Sequence, residues 1–487
     1  MNPLARHRRT LVALAALVAA PLAAHGLVGV FVRVVPPAIT VPALERGGSA
    51  GMTTAGAGRA TRARGVIEAH LSGTPEEIGA QHSTLLYRPM VENERDVWAG
   101  FSAVVPFAPA RAAMFDFGRV RHRNVDKNFP DHRRRELAAQ AARFSPDPYE
   151  GRLPTYERMV FLHALYDISL GFEGSPLLGC SAFGLGGAAT VDGHTLVARA
   201  FDFDVAEVFD RDKAVFFVKP AGAIPFASVS WPGLVGVLTG MNAEGVFVSV
   251  NGARAREPET RGVPVVLSLR ETLERAHTTE EATRILADQE VMVSHLVFVA
   301  DARGSFAVVE RAPHTAAHVV THFRDSARVA LTNHFEGPLK DDPRDRAVRA
   351  TSTTLARRAR LDELLGTVPA RSATPTSTLA MLRDHTCARS EGPCALGDRR
   401  TIDALIATHG VIADTTARTL WVSAGPHLSG RFIGFDLSRE LATNEGTAPV
   451  REPMPLPEDP LLHDASAYAE GRKRAGGPLL AAPPRTP

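Results

Sequence analysis

Cys180, in the run Leu178-Gly179-Cys180-Ser181-Ala182-Phe183, has the most chemistry to offer in this chain. Arg199 and Asp202 follow nineteen and twenty-two residues later, and the other two cysteines, Cys387 and Cys394, lie close together far downstream. A free thiol is only a few per cent thiolate near neutral pH and gains from an adjacent base. A chain-terminal amine, with a pKa of about 7.7–8.0, is well placed to accept that proton. Breaking the peptide bond between Gly179 and Cys180 would put nucleophile and base on one residue. Gly179 has no side chain to shield that carbonyl. A cysteine directly after glycine, opening a strand-turn-strand that ends in Arg-x-x-Asp, suits self-processing followed by acyl transfer through a thioester. Taken singly, each residue has a plainer reading. Free cysteine is among the most buried residue types, and Arg199 with Asp202 is readable as a surface ion pair worth about 0–1 kcal/mol.

The surrounding pattern predicts the elements that position these groups. Residues 74–172 are mostly helical, opening on Thr74-Pro75-Glu76-Glu77, with Thr at the cap, Pro at the first position and Glu77 three after the Thr. Apolar residues recur every three or four over 156–170. From Cys180 the texture turns to strands, with an Asp192-Gly193 hairpin turn between β-rich flanks. Further strands are predicted at 215–218, 226–231, 235–239, 246–250, 296–300, 306–310, 419–422 and 431–435. Helices are predicted at 265–276 and 279–288, and a long Arg-rich one over 344–365. Helices first, then strands, helices and strands again, point to antiparallel sheets with helices layered outside.

With those residues in view, the chain resembles the acyl-coenzyme A:6-aminopenicillanic-acid acyltransferase family, peptidase family C45, of the N-terminal-nucleophile (Ntn) hydrolases. The resemblance covers roughly residues 73–437 and is densest over 179–251. Gly73-Thr74-Pro75-Glu76-Glu77-Ile78-Gly79 looks like the family's opening motif, and Gly179-Cys180-Ser181 resembles its Gly-Cys-Thr. Asp192-Gly193 followed by Arg199-Ala200-Phe201-Asp202 resembles its Asp-Gly and Arg-Asn-x-Asp. Gly240-Met241-Asn242-Ala243-Glu244-Gly245-Val246 with Asn251, and Thr332-Asn333-His334, resemble later motifs, and residues 420–437 its closing strands. The resemblance implies an α+β fold, the four-layer α/β/β/α sandwich with antiparallel sheets, and a precursor that cuts itself between Gly179 and Cys180. It implies Cys180 as nucleophile, Asp202 holding the α-amine, Arg199 orienting the thiol or binding substrate, Asn251 donating to the oxyanion and Asn333 positioning the amine or acyl group. Arg357 fits the late arginine, with Arg349 and Arg360 as competitors. Two departures stand out. Ser181 keeps the hydroxyl of the usual Thr, whereas Ala200 replaces the usual Asn and bears on substrate recognition.

Composition bounds the rest. The 487 residues are 45% hydrophobic and 22% charged, with a net charge of +2, values of a globular protein rather than one whose main partner is nucleic acid. Arg6, Arg8 and Arg9 precede an apolar run over residues 10–32, which reads as an uncleaved signal anchor or a signal peptide. The bulk of the chain is then expected outside the cytoplasm, membrane-anchored or secreted. Residues 1–35 are thus a signal segment, 36–64 a flexible tether, 65–179 a helical first segment, 180–452 the catalytic segment and 453–487 a Pro/Ala-rich tail. Export permits a disulfide between Cys387 and Cys394. Gly47-Gly48-Ser49-Ala50-Gly51 matches a nucleophile elbow but lies in the expected tether, without flanking strand and helix. No metal-ligand spacing occurs among the histidines, and neither metal nor cofactor is expected. The expected partners are a small acyl amide or related thioester or lactone, the two cleavage products for each other, and a membrane through the N-terminal segment. The expected reaction is hydrolysis in preference to transfer. The alternative is a membrane-anchored, non-catalytic scaffold on a disused hydrolase fold.

Overall fold

The computed structural model describes residues 19–476 apart from 21, 50, 172–178, 204–205, 323–327 and 443–451. Strands β1 (Arg46–Ser49), β2 (Met52–Ala55), β3 (Gly58–Ala63) and β4 (Val66–Gly73) lead into helices α1 (Pro75–Val104), α2 (Ala108–Arg121), α3 (Asp131–Arg143) and α4 (Thr155–Leu170). The start of α1 closes the predicted capping box: Glu77 N donates to Thr74 Oγ1 at 3.3 Å, and Thr74 N to Glu77 Oε2 at 2.7 Å. After the cysteine come β5 (Ser181–Leu185), β6 (Leu196–Asp202), the short α5 (Val208–Arg211), β7 (Ala214–Pro220), β8 (Phe226–Ser230), β9 (Thr239–Asn242) and β10 (Phe247–Gly252). Then follow α6 (Val265–Arg275), α7 (Thr279–Ala287), β11 (His295–Ala300), β12 (Phe306–Ala312), β13 (Thr315–His322) and β14 (Arg328–Leu331). The chain continues through α8 (Pro343–Thr351), α9 (Thr354–Thr367), α10 (Pro375–Leu382), β15 (Ala407–Asp414), β16 (Thr419–Ser423), β17 (Phe432–Asp436), α11 (Leu437–Glu440) and α12 (Ala465–Ala475).

These strands form two sheets. The first has eleven strands in the order β1-β2-β3-β4-β7-β8-β9-β10-β11-β12-β13, and the second six in the order β14-β5-β6-β15-β16-β17. Neighbours are antiparallel except β4 and β7, which run parallel from Ile67↔Ala214 to Gly73↔Pro220. Period-2 alternation divides the apolar residues between layers. Val215, Phe217, Phe247 and Phe298 of the first sheet meet Val197, Val411, Val422 and Phe435 of the second. Phe216, Val218 and Val248 turn to the other face, against Ile78, Leu137, Val160, Leu269 and Leu286 from the helices. Beyond the second sheet, Phe183, Ala198 and Ile412 pack on Leu361, Leu365, Leu379 and Leu382 of α9 and α10. The result is α/β/β/α, as expected.

Four expectations need correction or bounding. Residues 46–63 are strands rather than tether, extending the first sheet beyond β4. Their Gly, Thr and Ala residues carry little apolar signal, and backbone pairing holds them. The tail also contains structure: α12 seats Gly471 against Leu396 and Leu405, and Arg472 Nη1 donates to Leu405 O at 2.5 Å. The long Arg-rich helix is two, α8 and α9, broken at Ser352 and Thr353. Of the expected strand at 235–239 only Thr239 is in the ladder, because Val237 N donates to Val266 O instead. Cys387 and Cys394 form the expected disulfide. Residues 1–18 and 21 of the signal segment, and 477–487 of the tail, lie outside the described residues. Residues 22–31 are helical, and no helix among the described residues is long and apolar enough to cross a membrane.

Candidate active site

β5 begins one residue after Cys180 and pairs antiparallel with β6, Ser181↔Ala200 and Ala182↔Arg199. Continuing that register sets Cys180 beside Phe201 and Gly179 beside Asp202. A Cβ on Gly179 would lie 2.7 Å from Asp202 Cβ and 3.0 Å from its Oδ2. The glycine therefore lets the peptide bond before Cys180 lie against that carboxyl. Cys180 itself is buried and unpaired.

The break before α9 brings the other groups in. Arg357 sits in the first turn of α9, and its Nη1 donates to Cys180 O at 2.6 Å and to Ser181 Oγ at 3.0 Å. Its Nη2 donates to Asn333 Oδ1 at 2.8 Å, and Asn333 Nδ2 donates on to Gly252 O at 2.8 Å. Thr354, the first residue of α9, accepts Asn333 N at 2.8 Å through its hydroxyl. Asn251, from β10 of the facing sheet, donates Nδ2 to Thr332 O at 2.8 Å and to Cys180 O at 3.3 Å. Cys180, Arg357, Asn333 and Asn251 thus form one buried network drawn from β5, β10, the turn after β14, and α9. The competing arginines lie elsewhere: Arg349 pairs with Asp345 at 2.6 Å, and Arg360 with Asp384 at 2.8 Å.

Arg199 is fully buried and points from β6 toward the first sheet. Nη1 donates to Ala200 O at 2.8 Å, Nε to Thr239 Oγ1 at 3.4 Å and Nη2 to Val250 O. Its guanidinium lies 4.9 Å over the Phe201 ring, a cation–π contact. Ala200, next along the strand, faces the opposite way, into the cluster with Leu361 and Leu379. The Asn-to-Ala departure therefore falls on the helix-covered face, away from Arg199. Ser181 keeps its hydroxyl in use, accepting from Arg357.

Burial pushes the Asp202 carboxyl up to about 7, against the nearby charges of Arg357, Arg399 and Arg199. Burial also lowers Arg357 from its ordinary value, with Asp202 and Cys180 opposing. Three participants carried no sequence signal. Thr239 Oγ1 lies 3.0 Å from His409 Nε2, and the His409 ring stacks on Phe201 with centroids 4.9 Å apart. Burial, then Arg199 and Lys213, hold His409 well below the usual histidine range. The third is Tyr166 of α4, stacked on the same Phe201. A lone threonine, histidine or tyrosine inside a strand or helix pattern reads as core.

The fold is thus an α+β, four-layer α/β/β/α sandwich with a buried cysteine at the head of β5. The chain is similar to the acyl-coenzyme A:6-aminopenicillanic acid acyl-transferase family, whose model matches residues 190–393. That stretch, under half of the 487 residues, holds Arg199, Asp202, Asn251, Asn333 and Arg357 and begins after Cys180. An uncharacterized protein of Archaeoglobus fulgidus is 25% identical over 252 residues, 48% of this chain. The chain spans 41% of that relative's length. Among solved structures, a Caenorhabditis elegans N-acylethanolamine-hydrolyzing acid amidase ortholog is 17% identical at a TM-score of 0.36, covering 49% of this chain and 93% of its own. Penicillin V acylase from Agrobacterium tumefaciens is 17% identical at 0.35, covering 54% and 88%.

Proposed function

We propose that the chain is the precursor of a self-processing cysteine amidohydrolase or acyltransferase acting on small acyl amides or related thioesters or lactones. The observation that carries this reading is the placement of Asp202 against Gly179 while Arg357 and Asn251 converge on the Cys180 carbonyl. In processing, Cys180 Sγ attacks the Gly179 carbonyl carbon, the peptide C–N bond breaks, and the acyl group moves to sulfur. Water hydrolyses that thioester, leaving a carboxylate on Gly179 and a free amine on Cys180. Asp202, beside the new amine, holds it as acceptor. In turnover the α-amine takes the thiol proton, Sγ attacks the substrate carbonyl, and Asn251 donates to the oxyanion. The α-ammonium then protonates the departing amine, leaving the acyl group as a thioester on Cys180. Water, losing its proton to the α-amine, releases the acid; an amine acceptor would give transfer instead. Arg199 and Arg357 supply positive charge facing thiolate and oxyanion, and Asn333 orients Arg357.

Hydrolysis is the preferred outcome because an exported protein meets little acyl-coenzyme A. Export rests on Arg6, Arg8, Arg9 and the apolar residues 10–32. Membrane attachment is further favoured by exposed Phe107, Met114 and Phe117 at and within α2. His25, from the helical residues 22–31 of that N-terminal segment, bonds Asp116 of α2 at 2.7 Å.

Intact-mass measurement of wild type and Cys180→Ala tests the reading. Two wild-type fragments meeting at Gly179/Cys180, with the variant whole and inert toward acyl amides, lactones and penicillins, are expected. An uncut wild-type chain, or equal turnover by the variant, would sink it.

A further inference from the structure

Tyr166 belongs to the half of the chain before the cut, yet its ring packs in the same buried cluster as the nucleophile. It stacks on Phe201, centroids 6.4 Å apart and planes 28° from parallel, and Phe201 is the residue that the β5–β6 register sets beside Cys180. Tyr166, Phe201 and Cys180 share one buried cluster. The Tyr166 hydroxyl is buried with no hydrogen-bond partner among the described residues. Burying a hydroxyl without a partner is destabilising, whereas phenylalanine would fill the same space without that penalty. Tyr468 also buries an unpartnered hydroxyl, but Cys180 and Arg199 are among the charges acting on Tyr166 and not on Tyr468. Burial, then Cys180, keep the phenol protonated beyond the ordinary tyrosine range, so the group is a donor at any working pH.

We propose that Tyr166 is a substrate-binding residue of the mature enzyme, its hydroxyl donating to an acceptor oxygen of the acyl group held at Cys180. This rests on the self-processing reading above. It gives the first half of the chain a direct part in recognition after the cut: an acyl group bearing an oxygen near the scissile bond fills the empty donor, and a purely hydrocarbon one leaves it unpaired.

The test is Tyr166→Phe in the full chain, assayed with a series of acyl p-nitroanilides, plain alkanoyl against those with an ether or hydroxyl oxygen near the carbonyl. The variant is expected to cut itself normally and to melt no lower than wild type, because ring packing is kept and an orphan hydroxyl is removed. Its kcat/KM is expected to fall tenfold or more on the best oxygen-bearing member, mainly through KM, with a smaller loss on the plain ones. A cut variant with kcat/KM within twofold of wild type throughout would overturn the proposal. So would failure of the variant to cut, or a drop in melting temperature matching the activity loss. An uncut wild-type chain is a different result, overturning the reading on which the proposal rests.

Discussion

Two groups of buried charges sit in this molecule and are built on opposite plans. Where α3 meets α6, Arg133, Glu136, Arg270 and Glu274 neutralise one another. Arg133 Nη1 donates to Glu136 Oε2 at 2.7 Å, Arg270 Nη1 to Glu136 Oε1 at 2.7 Å and Arg270 Nε to Glu274 Oε1 at 3.0 Å, and Arg133 also bonds Glu274. Burial alone would raise the Glu136 carboxyl; Arg270 and Arg133 more than offset that and hold it below the ordinary range. Around Cys180 the balance is missing. Arg199 and Arg357 spend their donors on carbonyl, amide and hydroxyl oxygens, and neither has a carboxylate within ion-pair distance among the described residues. Asp202, the carboxyl at the site, makes no ion pair among the described residues and titrates near neutral pH. The closed quartet serves cohesion. Under the proposed mechanism the open set keeps positive charge in reserve for a thiolate or an oxyanion.

That distinction predicts opposite outcomes for two arginine substitutions. Arg270→Met leaves two buried carboxylates sharing one arginine and is expected to cost about 3–5 kcal/mol of stability in denaturant titration. Arg357→Met strands only neutral acceptors, an expected cost of about 1–3 kcal/mol, while turnover of the processed enzyme falls on the order of a hundredfold or more. Equal stability losses would erase the contrast. Asn251→Ala sharpens the functional side: if Asn251 is the oxyanion donor of the proposed mechanism, its loss is expected to raise the barrier behind kcat by about 2.7–4 kcal/mol with KM little changed. A loss confined to KM would assign Asn251 to binding instead. The remaining prediction concerns Asp202 and pH. Its carboxyl titrates near 4 in an unfolded chain and about 7 in this fold, so the folded chain holds a proton that the unfolded chain has lost. Stability is therefore highest below pH 4 as far as this group is concerned, and declines as pH rises toward 7, by about 1.4 kcal/mol for each pH unit between those two values. In the uncut Cys180→Ala background, adding Asp202→Asn should flatten that decline, gaining relative stability at pH 8 over pH 5. Parallel pH curves for the two proteins would place the titration elsewhere.

The residues that the fold gathers around Cys180 were picked out in the sequence by their joint occurrence in motifs resembling one family, since each taken singly has a plainer reading. Glycine before cysteine, Arg-x-x-Asp on a strand, and asparagines at strand ends are patterns with few competing explanations once they occur together. The sequence favoured Arg357 but left Arg349 and Arg360 as competitors in one Arg-rich stretch; in the fold, Arg357 at the start of α9 is the one of the three that bonds the Cys180 carbonyl. Thr239, His409 and Tyr166 were invisible for the reverse reason: each matches the periodicity of a core position and its chemistry arises from a neighbour distant in the chain. Likewise β1–β3 gain their order from pairing along a sheet edge, which the Gly and Thr content of 46–63 does not advertise.

The parallel pairing of β4 with β7 has a consequence for how the protein must be made. A cut before Cys180 would leave one continuous sheet woven from two polypeptides, its seven-residue β4–β7 seam internal to the ladder. The second half produced alone would display β7 as an open, apolar edge, a template for self-association into aggregates. The first half is then an obligate folding partner in cis, and supplying it later as a separate chain would have to compete with that misassembly.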